Sequence, residues 1–143
     1  MVKYYPILLS TLAAMGGHPR AAAKADVLVA MQGAGTVERY ETGTGRHVGT
    51  FIRGLERPNA LVFGPDGALY IATGAVGGPG AVTRFDALTG RRLGDFVSYP
   101  PGHPGYLARA SHLLWHEGDL LVVSCDDSKV KRFDGTSGAY LGT

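Results

Sequence analysis

Three segments of this chain repeat one another. They read VERYETGTGRHVGTF (Val37 to Phe51), VTRFDALTGRRLGDF (Val82 to Phe96) and VKRFDGTSGAYLGT (Val130 to Thr143). They begin at 37, 82 and 130, so successive copies are 45 and 48 residues apart. A period of this size marks a stacked architecture, in which each copy is one supersecondary unit that cannot bury its apolar face alone. The constraint on fold is strong. The constraint on activity is weak, because such scaffolds carry their chemistry at a few variable positions.

The middle unit reads as four strands. Ala60 to Phe63 is a short apolar run, and Gly64-Pro65-Asp66-Gly67 after it is a reverse-turn signal. Leu69 to Ala72 is rich in β-formers, Gly74 to Gly80 reads as a flexible loop, and Ala81 to Phe85 alternates apolar with polar. Asp86 to Gly90 is the next turn and Arg92 to Phe96 the fourth strand. The first unit supplies strands at Val27 to Ala30, Val37 to Tyr40 and His47 to Ile52. The last supplies His112 to Trp115, Leu120 to Ser124, Lys129 to Phe133 and the start of a strand at Ala139 to Leu141, with Glu117-Gly118-Asp119 as its turn. In the Asp-x-x-Thr-Gly element, Asp accepts from backbone N–H groups ahead of it and Gly supplies a positive φ. The expected fold is therefore all-β, built of four-stranded antiparallel sheets of the β-propeller blade type, over about residues 26–53, 54–98 and 107–143. That is about 2.7 blades, and a ring needs roughly four to eight. The chain thus reads as an incomplete propeller, either a fragment of a longer product, the preferred reading, or one partner in a self-association. Exposed edge strands should make it adhesive.

The run PNALVFGPDGALYIA followed by VTRFDALTGRRLGDF resembles NHL-type propeller repeats and the related gluconolactonase-like (senescence-marker-protein-like) propellers. The likeness spans roughly residues 26 to 143, while the WD dipeptide is missing and so is a repeated double-Gly kelch signature, Gly77-Gly78 occurring in one unit alone. It implies either a non-enzymatic binding or interaction scaffold, or a lactonase-like or streptogramin-lyase-like enzyme with a divalent cation such as calcium in the central channel. In the gluconolactonase-like family a Pro-Asn-Gly supplies an Asn oxygen to that cation. Here the motif is Pro58-Asn59-Ala60, so Asn59 is the position the resemblance offers as a metal ligand. The matching position of the next unit is Ser111, a poor ligand, and hard cations want several oxygens at once.

The start of the chain reads as a secretory signal: Met1-Val2-Lys3, then the apolar stretch Ile7 to Met15, then Ala23-Lys24-Ala25 as a cleavage site. Residues 1–25 are accordingly expected to be removed and the protein to be secreted or periplasmic. That segment holds Lys3, Arg20 and Lys24 and no acid, so of 14 basic residues 11 remain against 12 acidic ones, a formal charge of −1. Nothing electrostatic then argues for nucleic-acid binding. The mature chain carries no stretch long enough to span a membrane.

In a propeller the first strand of each blade lines the channel, which makes Asn59, Ser111 and His112 the channel-facing candidates. His112 and His116 are four apart, about 13 Å along a strand, too far to share a metal. His116 is expected on a solvent-exposed turn. Cys125 is the only cysteine, which excludes an internal disulfide and a Cys-rich metal site, and it reads as a partly buried strand residue. Gly33-Ala34-Gly35 lacks the third glycine and the following helix of a dinucleotide loop, so it reads as a hairpin. Asp126-Asp127 reads as a solvated turn. The connector Tyr99 to Tyr106 (YPPGHPGY) is longer than its counterpart Arg53 to Pro58 and reads as a stiff protruding loop. Tyr99, His103 and Tyr106, with Arg109 beside them, are the loop binding candidates, Arg109 holding an anion or pairing with Glu117.

Overall fold

The structure, a computed structural model, describes residues 26–143, and the expected signal segment lies outside the described residues. Every regular element among them is a strand. The first sheet contains β1 (Asp26–Met31), β2 (Thr36–Glu41) and β3 (His47–Ile52) in that order. The second contains β4 (Ala60–Phe63), β5 (Leu69–Thr73), β6 (Pro79–Phe85) and β7 (Arg92–Val97), with β8 (Leu107–Ala108) pairing to the first residues of β6. The third contains β9 (Ala110–His116), β10 (Asp119–Ser124), β11 (Lys129–Asp134) and β12 (Tyr140–Gly142), again in sequential order. All pairings are antiparallel, and the three look-alike segments form the outer hairpins β2–β3, β6–β7 and β11–β12.

The middle sheet buries both faces, which is why β5 is apolar at successive positions rather than at alternate ones. Leu61, Leu69, Ile71 and Phe85 pack with Leu28, Val37 and Ile52 of the first sheet. Ala60, Val62, Tyr70, Ala72 and Val82 pack with Leu113, Leu120, Val122 and Phe133 of the third. Tyr70 is the pivot of the second junction. Its ring meets Phe96 at 5.0 Å and Trp115 at 4.9 Å, both edge to face. Its hydroxyl donates to Asp66 Oδ2 at 3.1 Å, and burial, with Asp66 nearby, pushes its pKa up to about 12.

The outer turns explain the repeat motif atom by atom. Asp86 Oδ1 accepts from the N–H groups of Leu88 and Thr89 and from the Thr89 hydroxyl, at 3.0, 2.8 and 2.8 Å. Asp134 Oδ1 does the same with Thr136, Ser137 and the Ser137 hydroxyl, at 3.1, 2.7 and 2.7 Å. Both carboxyls are held below their usual pKa, Asp86 chiefly by the backbone of Thr89 and Asp134 chiefly by the Ser137 hydroxyl. Gly90 and Gly138 close these turns at φ +73°. They are required for a second reason. A Cβ on Gly90 would lie 2.6 Å from the carbonyl oxygen of Phe51, and one on Gly138 2.0 Å from that of Phe96. Each turn glycine thus sits on the backbone of the phenylalanine that ends the preceding copy.

Three details differ from the sequence reading. Asp119 opens β10 and pairs with His116, so the turn is the two residues Glu117 and Gly118, at φ 49° and 89°; a hairpin this tight needs positive φ at both positions. His116 is correspondingly the last residue of β9, although exposed as expected. The glycine-rich stretch 74–80 is pinned rather than free. Gly77 N–H donates to Asp126 Oδ2 at 2.8 Å, and a Cβ on Gly80 would lie 2.4 Å from the backbone nitrogen of Ala110.

Candidate functional site

Asn59 stands where the three sheets converge. Its Nδ2 donates to the carbonyls of Gly74, at the end of the second sheet's β5, and of Ala110, in the third sheet's β9, at 3.1 and 2.8 Å. Its Oδ1 accepts from Gln32 Nε2, in the turn between β1 and β2. One side-chain amide therefore ties all three sheets together. The small cavity beside it, about 20 Å³, is lined by β1, β4, Asn59 and His112. His112 Nδ1 lies 3.2 Å from Ser111 Oγ, which donates to the Val123 carbonyl at 3.4 Å. The three channel-facing candidates are thus near one another, but they do not make a hard-cation site. The one oxygen Asn59 has to offer is engaged by Gln32, and the neighbours are a hydroxyl and an imidazole. Among the described residues no group of three or more His, Cys, Asp or Glu comes together as a metal site.

The loop keeps Pro100 to Pro104, with His103, exposed, while Tyr99 and Tyr106 at its two ends are half-buried. The Tyr99 ring stacks on His103 at 4.2 Å and on Phe133 at 6.2 Å. Its hydroxyl donates to the Gly138 carbonyl at 3.2 Å and accepts from the Tyr140 N–H at 3.1 Å. His103 Nδ1 accepts from Gly105 N–H at 2.9 Å, so the ring braces the loop. The Tyr106 carbonyl accepts from Lys131 Nζ, an ammonium that is almost fully buried and pairs with Asp127 Oδ2 at 3.0 Å. Burial raises the Asp127 pKa, but the hydrogen bonds from Ser124 and Lys131 outweigh it, and the net shift is downward.

Arg109, at φ 56°, pairs with Asp126 Oδ1 at 2.8 Å rather than with Glu117, and its Nη2 donates to Cys125 Sγ at 2.8 Å. Cys125 follows the end of β10, and its N–H donates to the Arg109 carbonyl at 3.0 Å. Asp126 and Asp127 are in a solvent-accessible turn, as expected, and in addition are bound to neighbouring elements. The physical reason is that Ala108 and Arg109 run beside the β10–β11 turn, with Ala108 N–H donating to Ser124 Oγ at 2.8 Å, and this brings cations to both carboxylates.

Another opening is one the sequence reading did not single out. A cleft of about 520 Å³ separates the first two sheets. Phe51, Ile52, Leu55 and Phe85 supply its apolar wall, and three threonines (Thr50, Thr73, Thr83), two cations (Arg53, Arg92) and one acid (Glu56) its polar groups. Thr83 donates to Asp95 Oδ1 at 2.8 Å, and Arg92 Nη2 reaches the same oxygen at 2.6 Å. Arg53 is exposed and makes no ion pair among the described residues. The signal that marks this cleft was present in the alignment of copies: Gly54 stands 45 residues before Tyr99, the same step that separates Val37 from Val82. No protein-family model matches this chain, and no curated protein matches it.

Proposed function

We propose that the chain is part of an exported β-propeller that acts as a binding scaffold, each sheet being one blade. The observation that carries this reading is the repetition of one docking step. Gly90 rests on the Phe51 carbonyl and Gly138 on the Phe96 carbonyl, so two consecutive junctions are made by the same residues of the repeat. A step taken twice in the same sense can be taken again, and closure needs roughly four to eight blades. Further blades would come from a longer polypeptide or from other copies of this chain. The first and third sheets still expose Met31, Val48, Leu114 and Val130, apolar groups suited to more of the same packing. Export rests on the apolar stretch and small-residue site before Asp26.

The alternative, a metal-dependent lactonase-like or lyase-like enzyme, would need its acidic ligands from blades outside this chain, because Asn59 serves here as a structural tie beside Ser111 and His112. Electron micrographs of the exported protein, with its N-terminal sequence, test the proposal. Rings with a central channel and a chain beginning at Asp26 are expected. Three-sheet particles at all concentrations, or an uncleaved cytoplasmic chain, would overturn it.

A further inference from the structure

We infer that the cleft between the first two sheets is a binding site for a small hydroxyaryl acid, a phenol ring bearing a carboxylate. The two junctions superpose by repeat register, whether or not a ring closes. In the second junction Tyr99 stacks on His103 of its own connector, and the third sheet meets it through Phe133, Gly138 and Tyr140: ring against ring, carbonyl accepting from the phenol, and N–H donating to it. Forty-eight residues earlier, at the same places in β6, its turn and β7, stand Phe85, Gly90 and Arg92, and all three line the cleft. Tyr99 itself corresponds to Gly54, which has no side chain and around whose Cβ direction nothing lies within 4 Å. The first junction thus keeps the wall, the acceptor and the donor position of a phenol clasp, and lacks the phenol and the His103 ring stacked on it.

Size agrees with this. About 520 Å³ is within the range of small-molecule sites. The ligand's second group follows from charge. Two charged side chains of the cleft lining, Arg53 and Glu56, have no ion-pair partner among the described residues, whereas Arg92 already has Asp95; of the two, Arg53 is the one adjoining Gly54, the position of the missing phenol. A guanidinium free at the rim favours a carboxylate on the outward end of the ring. Thr73 adds a hydroxyl to the inner wall.

The test uses the whole exported protein and three probes: 4-hydroxyphenylacetate, phenylacetate and 4-hydroxybenzyl alcohol. Titration followed by amide NMR should give saturable binding of the first, with the largest shifts at Gly54, Phe85, Gly90 and Arg92. Phenylacetate should bind about tenfold more weakly, the equivalent of one to two lost hydrogen bonds. Arg53→Ala, an exposed substitution, should weaken the hydroxy acid by about tenfold and leave 4-hydroxybenzyl alcohol unchanged. Equal affinity for phenylacetate, shifts centred elsewhere, an Arg53→Ala effect on the alcohol as large as on the acid, or no saturable binding would each overturn the inference.

Discussion

The two junctions between sheets begin from the same plan and finish differently. Both place a turn glycine on a phenylalanine carbonyl, and both pack the β-strand aliphatics of one sheet on those of the next. In the second junction the two ends of the Tyr99 to Tyr106 connector pack into the crevice, while Pro100 to Pro104 stay exposed. Tyr99 is clasped by Gly138 and Tyr140, and the Lys131 ammonium is buried beneath the Tyr106 carbonyl. In the first junction the connector is shorter, Gly54 replaces the tyrosine, Thr83 replaces the lysine, and a cleft remains. The lesson is that this repeat specifies how sheets stack, while the connectors decide whether a crevice becomes core or site.

The contrast can be attacked from the filled side first. Tyr99→Ala removes a packed ring and both hydroxyl bonds, and should cost about 3 kcal/mol of stability by denaturant titration. Lys131→Ala leaves Asp127 without its cation and should cost about 2–3 kcal/mol, less than for a wholly buried pair because Asp127 keeps some solvent. A smaller loss from either would mean that the connector only covers the junction without holding it. Glycine replacements rank next. Gly45→Ala, at φ +67° with nothing within 4 Å of its Cβ, should cost about 1–2 kcal/mol from backbone strain alone. Gly90→Ala and Gly138→Ala must add displacement of a neighbouring backbone, and both should exceed it. Equal losses at all three would break the claim that the turns dock. Tyr99→Phe keeps the ring and should cost about 1 kcal/mol.

Acid should produce the mildest change. Asp86, Asp134, Asp127 and Glu38 all have lowered pKa values in the folded chain. The folded state therefore binds fewer protons than the unfolded one near pH 4, so these groups stabilise above that range. Their contribution is lost as pH falls through the folded values. Melting temperature should be flat from neutral pH down to about pH 5 and fall below it. A fall that already begins near neutral pH would show that these four carboxylates do not set the acid limit.

Much of this architecture was readable because local and global signals agree. The three copies, the Asp-x-x-Thr-Gly turns and the paired apolar runs fixed the strands to within a residue or two. What could not be read was which long-range partner each polar group would find. Asn59 was legible as a special position, yet its role depends on Gln32 and Ala110, far from it in sequence. Asp126 and Asp127 were legible as a solvated turn, but not their pairing with Arg109 and Lys131. β8 is two residues long and has no pattern to announce it. The Tyr99 loop carried the residue types of a binding loop, but the copies themselves supply a cradle for it.

The chain has a single indole, Trp115, and it lies against Tyr70 and Phe96 between the second and third sheets. Its fluorescence is consequently an optical gauge of that boundary alone, blind to the one between the first and second sheets. Comparing emission with far-ultraviolet ellipticity during heating would then reveal whether the molecule melts as one cooperative unit or peels apart layer by layer.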